Sequence, residues 1–300
     1  MKTVLITGAA GDVGTHLRRE LAGRYRLRVS DIKPIRDLRK DEKYVRADVS
    51  KLGDMLRATK GVDALVHLGA WPVEGDWPLI LSSNIIGGYN GFEAARRNGV
   101  KRVVFASSNH AVGFYRRDQT IDHRAQARPD SRYGVSKAFG EALGALYADK
   151  YGLGVLAIRI GNVNPEPLDR RRLAIWISPR DIAQLVAIGI DHPEIRFEIV
   201  YGISDNQRGW YDNANAYRLG YRPLDKSEAY AVGILAKHVD HANPLVELYQ
   251  GGTFVAAEEG GDPSRSRPLP GRKKSAAKRP TMRPAKPKTA KRKTAKRKKK

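Results

Sequence analysis

One pair of residues has both the types and the spacing for proton transfer: Tyr133 and Lys137, in the run Tyr-Gly-Val-Ser-Lys. Residues four apart lie on the same face of a helix, so the ammonium group would lie beside the phenol. A neighbouring positive charge favours the phenolate and lowers the pKa of the tyrosine towards neutrality. Tyr133 could then remove the proton of a substrate hydroxyl while a hydride leaves the same carbon. Because such pairs are also common on solvated helices, the surrounding sequence has to support this interpretation.

Polar residues that follow a predicted strand give this support. The apolar run Val103–Ala106 is followed at once by Ser107-Ser108-Asn109-His110. The carboxyl ends of parallel strands border the ligand crevice, so these side chains would face the reacting atoms. We expect Ser108 to hydrogen-bond the reacting oxygen. The alternative is an ordinary polar turn after a strand, where serine and asparagine are frequent.

A glycine-rich turn near the N-terminus predicts a phosphate-binding site. Gly8, Gly11 and Gly14 are spaced by three residues, and Asp12 and Val13 stand between the last two. The turn follows the first apolar run and precedes the first helical pattern, where free backbone N–H groups can hold a pyrophosphate. Glycines also form ordinary turns, but this position between a strand and a helix favours a dinucleotide site.

An acidic residue, Asp31, follows the second predicted strand. A carboxylate there can accept hydrogen bonds from both adenosine ribose hydroxyls, and it would repel a 2′-phosphate. The sequence therefore favours NAD over NADP as the cofactor. Two alternatives stay open: Asp31 could simply cap a turn, and the nearby Lys33 and Arg36 keep NADP in consideration.

Short apolar runs alternate with helical patterns through the first two thirds of the chain. The predicted strands are Val4–Thr7, Leu27–Ser30, Tyr44–Ala47, Ala64–Leu68, Val103–Ala106, Val155–Ile160 and Phe197–Tyr201. The predicted helices are Val13–Leu21, Leu52–Thr59, Leu79–Arg97, Tyr133–Tyr151 and Arg180–Ile190. This alternation predicts an α/β fold of the Rossmann type, a doubly wound parallel sheet with a small C-terminal region that covers the substrate site.

The positive charge of the chain is concentrated at its C-terminal end. From Gly261 to Lys300 there are 18 Lys and Arg and one acidic residue, which leaves +6 of the total net charge of +23 for residues 1–260. We predict one NAD-binding domain over residues 1–259 and a disordered Lys/Arg-rich tail over residues 260–300, since the tail has too few apolar residues to fold. The tail could attract nucleic acid or another polyanion weakly, or serve only solubility.

Composition also excludes or disfavours several kinds of site. The chain has no cysteine, which excludes disulfides, thiolate metal sites and cysteine nucleophiles. His238 and His241 are three apart, but no nearby pattern completes a metal site, and we expect no metal. No apolar run approaches the roughly 18 residues that a membrane span requires, and the N-terminus does not match a signal peptide. We therefore expect a cytoplasmic protein without membrane contact.

In this order along the chain, the glycine turn, the acid, the serines and the Tyr–Lys pair resemble the extended short-chain dehydrogenase/reductase family, or NAD-dependent epimerase/dehydratase family. Within it, residues 1–256 resemble the bacterial uronate dehydrogenases. The specific matches are Phe105–His110, Arg128–Ser131, Tyr133–Lys137, Arg159–Gly161, Pro165–Pro167, Tyr201–Gly202, Ser204–Asn206 and Gln250–Phe254.

The resemblance implies NAD-dependent oxidation of a uronic acid, such as glucuronate or galacturonate, at C1 to an aldarolactone. It implies that Tyr133 is the base and that Lys137 holds the nicotinamide ribose. The substrate contacts that it implies are Ser108, Asn109, His110, Asn162, Arg171 and Phe254, with Arg171 on the carboxylate. The further cofactor contacts that it implies are Asp48, Val49, Leu68, Gly69, Ala70 and Asn84. Homo-oligomers are also expected from the family.

Two positions depart from the uronate dehydrogenase pattern and leave the substrate open. Pro72 stands where those enzymes have a serine, and Asn162 replaces another sugar-contacting serine. Loss of a hydroxyl partner can change substrate discrimination strongly. The alternative is an epimerase, dehydratase or reductase that acts on another sugar or a nucleotide sugar. A third hypothesis is a cofactor-sensing regulator, although such proteins commonly lose the Tyr–Lys pair.

Overall fold

The apolar runs form a seven-stranded parallel sheet in the computed structural model, which describes residues 1–237 and 243–257. Its strands are β1 Thr3–Thr7, β2 Arg26–Ser30, β3 Lys43–Tyr44, β4 Ala64–His67, β5 Arg102–Ser108, β6 Gly154–Ile160 and β9 Phe197–Gly202. Two further short strands, β7 Asn162–Val163 and β8 Trp176–Ile177, pair with each other in a separate sheet. The spatial order is β3-β2-β1-β4-β5-β6-β9. Because the order reverses between β1 and β4, a crevice opens at the carboxyl ends of these strands, as in Rossmann-type folds.

Helices cover both faces of this sheet. They are α1 Asp12–Glu20, α2 Leu52–Thr59, α3 Trp77–Ile80, α4 Gly87–Arg97, α5 Arg132–Tyr151, α6 Arg172–Ile175, α7 Pro179–Asp191, α8 Ala214–Arg218, α9 Ala231–Leu235 and α10 Pro244–Leu248. Residues of α1 and α7 share one apolar core with the sheet, and residues of α2, α4 and α5 share the other. The predicted fold class is confirmed. Within the described ranges, no helix is long and apolar enough to cross a membrane.

Two predicted elements differ from the structure. The predicted helix Leu79–Arg97 is divided, because α3 leads into a π-helical turn, Leu81–Ile86, before α4 begins. A π turn holds one residue more than an α turn, which apolar periodicity does not reveal, and such turns are frequent at functional sites. The predicted strand Tyr44–Ala47 is assigned only over β3, although Val45 and Ala47 still donate backbone hydrogen bonds to Val29 and Asp31.

Some predictions lie outside the described residues. These are the boundary between residues 1–259 and 260–300, the character of the tail, and the histidine pair His238 and His241. They stay predictions.

Candidate active site

Helix α5 begins in a polar cap that fixes the position of Tyr133. The Ser131 hydroxyl accepts a hydrogen bond from the Gly134 N–H at 3.0 Å, and the Glu74 carboxylate accepts one from the Tyr133 N–H at 2.9 Å. Both acceptors satisfy N–H groups that have no partner within the helix. The backbone of Tyr133 is thus held from two sides, by its own helix cap and by the loop after β4.

Tyr133 and Lys137 lie side by side, as their spacing predicted, and both side chains are buried. The Lys137 Nζ lies 5.2 Å from the centre of the Tyr133 ring and donates a hydrogen bond to the Ala106 carbonyl at 2.8 Å. Burial raises the pKa of Tyr133 to about 12, against a lowering contribution from Ser108. Burial also lowers the pKa of Lys137 to about 8. The expected lowering of the Tyr133 pKa is therefore wrong, because loss of solvation dominates.

Three separate segments meet at the His110 ring. Ser108 ends β5, and its hydroxyl accepts a hydrogen bond from the His110 N–H at 3.2 Å, which starts the 3₁₀ turn Asn109–Val112. The His110 ring lies edge-on to the Tyr133 ring at 5.8 Å and stacks on the Phe254 ring at 3.7 Å. Four of the predicted residues thus surround the Tyr133 side chain: Ser108, His110, Lys137 and Phe254.

Arg171 is half-buried, and it forms no ion pair with an acidic side chain in the part of the chain that the structure describes. Its Nε and Nη2 donate to the Gln250 carbonyl at 3.0 and 2.7 Å. With the Asn109 amide oriented so that both its atoms are satisfied, the Asn109 oxygen also accepts from Nη2, at 3.0 Å. Burial lowers the pKa of Arg171 to about 10. A cation that is partly removed from water and has no acid beside it is unfavourable, so this arrangement suits an anionic ligand.

The glycine turn is too tightly packed for side chains at its first and third glycines. At Gly8, where φ is +67°, a Cβ would lie 2.9 Å from the backbone after β4, and at Gly14 it would lie 2.5 Å from the Gly8 carbonyl oxygen. Gly11 is exposed and caps α1 without a side-chain hydrogen bond. The first N–H groups of the helix, those of Asp12 and Val13, are therefore available to the pyrophosphate of a dinucleotide.

Asp31 lies directly after β2, beside the glycine turn. Its carboxylate accepts hydrogen bonds from the N–H groups of Ala10 and Lys33, both at 3.0 Å. Each carboxylate oxygen has a further lone pair for a ligand hydroxyl. Lys33 and Arg36 line an open pocket next to Ala10. Their position does not decide between NAD and NADP.

A small cavity adjoins the Lys137 side chain. Gly69, Ala70, Asn84 and Ser136 are among its lining residues. The Asn84 Nδ2 donates to the Ser136 hydroxyl at 3.0 Å, and the rest of the Asn84 amide is bonded to the backbone of Trp71. The π turn thus places Asn84 so that it shapes the loop after β4, and the cavity could hold part of a bound cofactor.

Three other predicted cofactor residues lie on the loops after β3 and β4. The Asp48 carboxylate accepts hydrogen bonds from the N–H and the hydroxyl of Ser50, at 3.0 and 2.7 Å. Val49 packs so closely on Gly69 that a Cβ there would lie 2.6 Å from the Val49 Cγ1. Leu68 packs against the core shared by α1 and α7. All three lie on loops at the carboxyl ends of their strands, and their contact with a cofactor stays a prediction.

The two positions that depart from the uronate dehydrogenase pattern contribute no hydroxyl. Asn162 lies on β7, and its Oδ1 accepts a hydrogen bond from the Asn164 amide at 2.8 Å. Pro72 is exposed on the loop after β4. Neither is hydrogen-bonded to the group around Tyr133, so their part in substrate binding also stays a prediction.

Sequence reasoning missed the groups that hold the predicted residues in place. The Asp130 Oδ2 lies 2.7 Å from the His110 Nδ1, and the Thr7 hydroxyl accepts a hydrogen bond from the Gly69 N–H at 3.1 Å. Asp130 belongs to the Arg-Pro-Asp-Ser run before α5, and that run was the only available signal. Glu74 gave none, because its partner is a backbone group far along the chain.

Comparison with known proteins agrees with this geometry. Residues 4–181 match the NAD dependent epimerase/dehydratase family. The uronate dehydrogenase of Pseudomonas putida is 42% identical over 256 residues, which cover 85% of this chain and 96% of that protein. The NAD-dependent glucose-6-phosphate dehydrogenase of Haloferax volcanii is 39% identical over 251 residues, 76% of this chain and 95% of that protein.

Solved structures agree as well. A mutant uronate dehydrogenase from Agrobacterium tumefaciens complexed with NAD is 39% identical, with a TM-score of 0.83 over 86% of this chain and 98% of that one. The chain therefore belongs to the NAD-dependent epimerase/dehydratase family, and within it is a relative of the uronate dehydrogenases.

Proposed function

We propose that this protein is an NAD-dependent uronate dehydrogenase, which oxidises C1 of a hexuronate such as glucuronate or galacturonate to the aldarolactone. The observation that carries the proposal is Arg171, a half-buried guanidinium that is left without an acid among the described residues. A uronate differs from an ordinary aldose by the carboxylate at C6, and a guanidinium is the group that best matches a carboxylate. The names of the relatives support the same substrate class.

In this mechanism Tyr133 takes the proton of the C1 hydroxyl, and Ser108 hydrogen-bonds the same oxygen. Burial holds the pKa of Tyr133 high, so the phenolate form would depend on the positive charge of bound NAD together with that of Lys137. NAD, when bound, accepts the hydride from C1. The residues that would hold NAD are Gly8, Gly11, Asp12, Val13, Gly14, Asp31, Asp48, Val49, Leu68, Gly69, Ala70, Asn84, Tyr133 and Lys137.

Substrate binding would use the side of the site away from the glycine turn. Arg171 would bind the carboxylate, and Asn109, His110 and Asn162 would contact sugar hydroxyls. Phe254, which stacks on His110, would close the pocket over the sugar ring. Asn109 and His110 are buried, and partial removal from water strengthens their polar contacts with a substrate.

A second candidate is C1 oxidation of an aldose with another anionic group at C6, such as a sugar phosphate. The relative named as a glucose-6-phosphate dehydrogenase favours it, and so does Pro72 at a position where uronate dehydrogenases have serine. Arg171 would serve either anion.

The test is NADH formation on mixing the purified protein with NAD and, in turn, glucuronate, galacturonate, glucose 6-phosphate or glucose. We expect turnover with a uronate and at least about 100-fold lower kcat/KM with glucose, since a buried charged hydrogen bond is lost. Turnover with glucose 6-phosphate alone would support the second candidate. Lack of turnover with every uronate would remove the assignment.

We further propose a cytoplasmic homo-oligomer whose residues 260–300 bind polyanions weakly, since that segment carries most of the net charge. Deletion of residues 260–300 should leave kcat unchanged and should abolish salt-sensitive retention on immobilised DNA. Size-exclusion chromatography with light scattering of the same two proteins tests the assembly. Equal retention of both proteins on DNA would contradict the role of the segment.

A further inference from the structure

The two nitrogens of the His110 imidazole have very different surroundings. Nδ1 lies 2.7 Å from the Asp130 Oδ2, and the Asp130 side chain has no exposed surface. Nε2 forms no hydrogen bond with any residue that the structure describes, and the His110 side chain keeps 10% exposure. One nitrogen is therefore occupied by the protein, and the other is available to a ligand.

The Asp130 carboxylate lies against Gly113 and Gly251, and the lack of a side chain at both leaves room for it. A Cβ at Gly113 would lie 1.8 Å from its Oδ2, and a Cβ at Gly251 would lie 1.9 Å from the same atom. The other oxygen accepts a hydrogen bond from the Ser131 hydroxyl at 2.8 Å, and Ser131 is the cap of α5. The start of that helix carries a partial positive charge, which stabilises a nearby carboxylate.

A carboxylate only accepts hydrogen bonds, so Nδ1 of His110 has to carry the proton in this pair. Neutral imidazole has one N–H, which leaves Nε2 with a lone pair. The ring cannot easily turn to exchange the two nitrogens, because Phe254 stacks on its face at 3.7 Å and Tyr133 lies at its edge at 5.8 Å. The tautomer and the orientation are both fixed before a ligand arrives.

We propose that Asp130 is a positioning residue that fixes His110 in the Nδ1–H tautomer, so that Nε2 accepts a hydrogen bond from a sugar hydroxyl other than the reacting one. The inference rests on the proposed function for the identity of the ligand, a polyhydroxylated sugar acid. Tyr133 remains the base, and no bond is made or broken at His110. The pair therefore determines which sugars bind, since a sugar without that hydroxyl leaves an imidazole lone pair unsatisfied.

The tautomer can be measured directly by nitrogen NMR of protein labelled with ¹⁵N-histidine, with His110→Gln used for assignment. We expect Nε2 of His110 to show the shift of an unprotonated nitrogen in the wild type. In Asp130→Asn the neutral amide can donate as well as accept, so the two tautomers should mix. A protonated Nε2 in the neutral wild-type ring would overturn the proposal, and this measurement requires no turnover.

Kinetics give a second and independent readout. Asp130→Asn should raise KM for glucuronate roughly 10–100-fold, with kcat and the KM for NAD within about threefold, because the lost hydrogen bond serves binding rather than proton transfer. Asp149→Asn, an exposed residue of α5, is the matched control and should leave all three constants unchanged. A variant that merely misfolds would instead lose kcat, NAD binding and thermal stability together.

Substrate analogues identify the hydroxyl. Among glucuronate, galacturonate and the 2-deoxy and 3-deoxy glucuronates, one change should cost the wild type at least about tenfold in kcat/KM. The same change should cost Asp130→Asn less than about threefold, since the acceptor is no longer fixed. Equal costs in both proteins would contradict the proposal. If no uronate is turned over by the wild type, the proposed function fails, and the tautomer measurement still decides the role of Asp130.

Discussion

Arg159 is buried and Arg171 is half-buried, and these two arginines differ in their partners. Arg159, on β6, donates from Nε and Nη2 to the Glu141 carboxylate, both at 2.9 Å, and from Nη1 to the Tyr201 hydroxyl at 3.1 Å. Glu141 raises the pKa of Arg159 above its ordinary value in spite of burial. Among the described residues, Arg171 has the Gln250 carbonyl and the Asn109 amide as its hydrogen-bond partners, and loss of solvation lowers its pKa to about 10.

The difference separates a structural region from a functional one. In the Arg159 region, the protein supplies its own acid, and Ser107 also donates to Glu141, at 2.6 Å. The next residue along β5, Ser108, points to the opposite side, as successive strand residues do, and joins the site around Tyr133. A partly desolvated cation that the protein does not neutralise lowers its stability. A ligand with a negative charge would offset this loss when it binds.

The largest expected effect is on kcat, and it should distinguish Tyr133 from Tyr201. Tyr133→Phe should lower kcat by roughly 10²–10⁴-fold, because it removes the general base, and should leave the thermal stability near that of the wild type. Tyr201→Phe, which removes the hydroxyl that Arg159 contacts, is the matched control and should leave kcat nearly unchanged. Steady-state kinetics and thermal unfolding of both variants check this. A Tyr133→Phe enzyme of normal rate would end the proposed mechanism.

In the Arg159 region, substitution should lower the free energy of unfolding. Arg159→Met leaves the Glu141 carboxylate buried and unpaired, so the free energy of unfolding should fall by about 3–5 kcal/mol. Urea denaturation measures it. Arg171→Met leaves no buried acid behind, and the free energy of unfolding should change by less than about 1 kcal/mol or increase. Equal destabilisation by the two substitutions would contradict the distinction between the regions.

Lys137 extends the comparison as another buried cation, and through it the stability of the protein should depend on pH. Its pKa is about 8 in the folded protein and 10.5 in the unfolded chain, so between these values the unfolded chain binds more protons and stability rises with pH. Lys137→Met should therefore stabilise the protein at pH 7, by about 2–3 kcal/mol. The gain should shrink between about pH 8 and pH 10. Urea denaturation at both ends of this range, with the exposed Lys150→Met as control, measures it.

The parts that could be predicted from the sequence depend on short spacings. Alternating apolar runs predicted the parallel sheet, and glycines three positions apart predicted the turn that α1 follows. Tyr133 and Lys137 are four positions apart, which placed both side chains on one face of α5. Each of these relations lies within one helix, one strand or one turn, where backbone geometry alone relates position to direction.

The parts that could not be predicted depend on contacts between distant segments. Asp130 is 20 residues from His110, and Arg171 is 79 residues from the Gln250 carbonyl that holds it. A backbone carbonyl leaves no trace in the residue types, so the second contact has no sequence signal. The predicted lowering of the Tyr133 pKa was wrong for a related reason, because burial outweighs the hydrogen bond with Ser108, and burial is a property of the fold.

The most direct test of the central claim is the ratio of kcat/KM for glucuronate to that for glucose, measured with NAD for the wild type and for Arg171→Met. If Arg171 binds the substrate carboxylate, the wild-type ratio should be about 100 or more, and the substitution should reduce it to near unity by lowering glucuronate oxidation alone. An Arg171→Met enzyme that keeps the wild-type ratio would contradict the assignment of this arginine, and with it the substrate class.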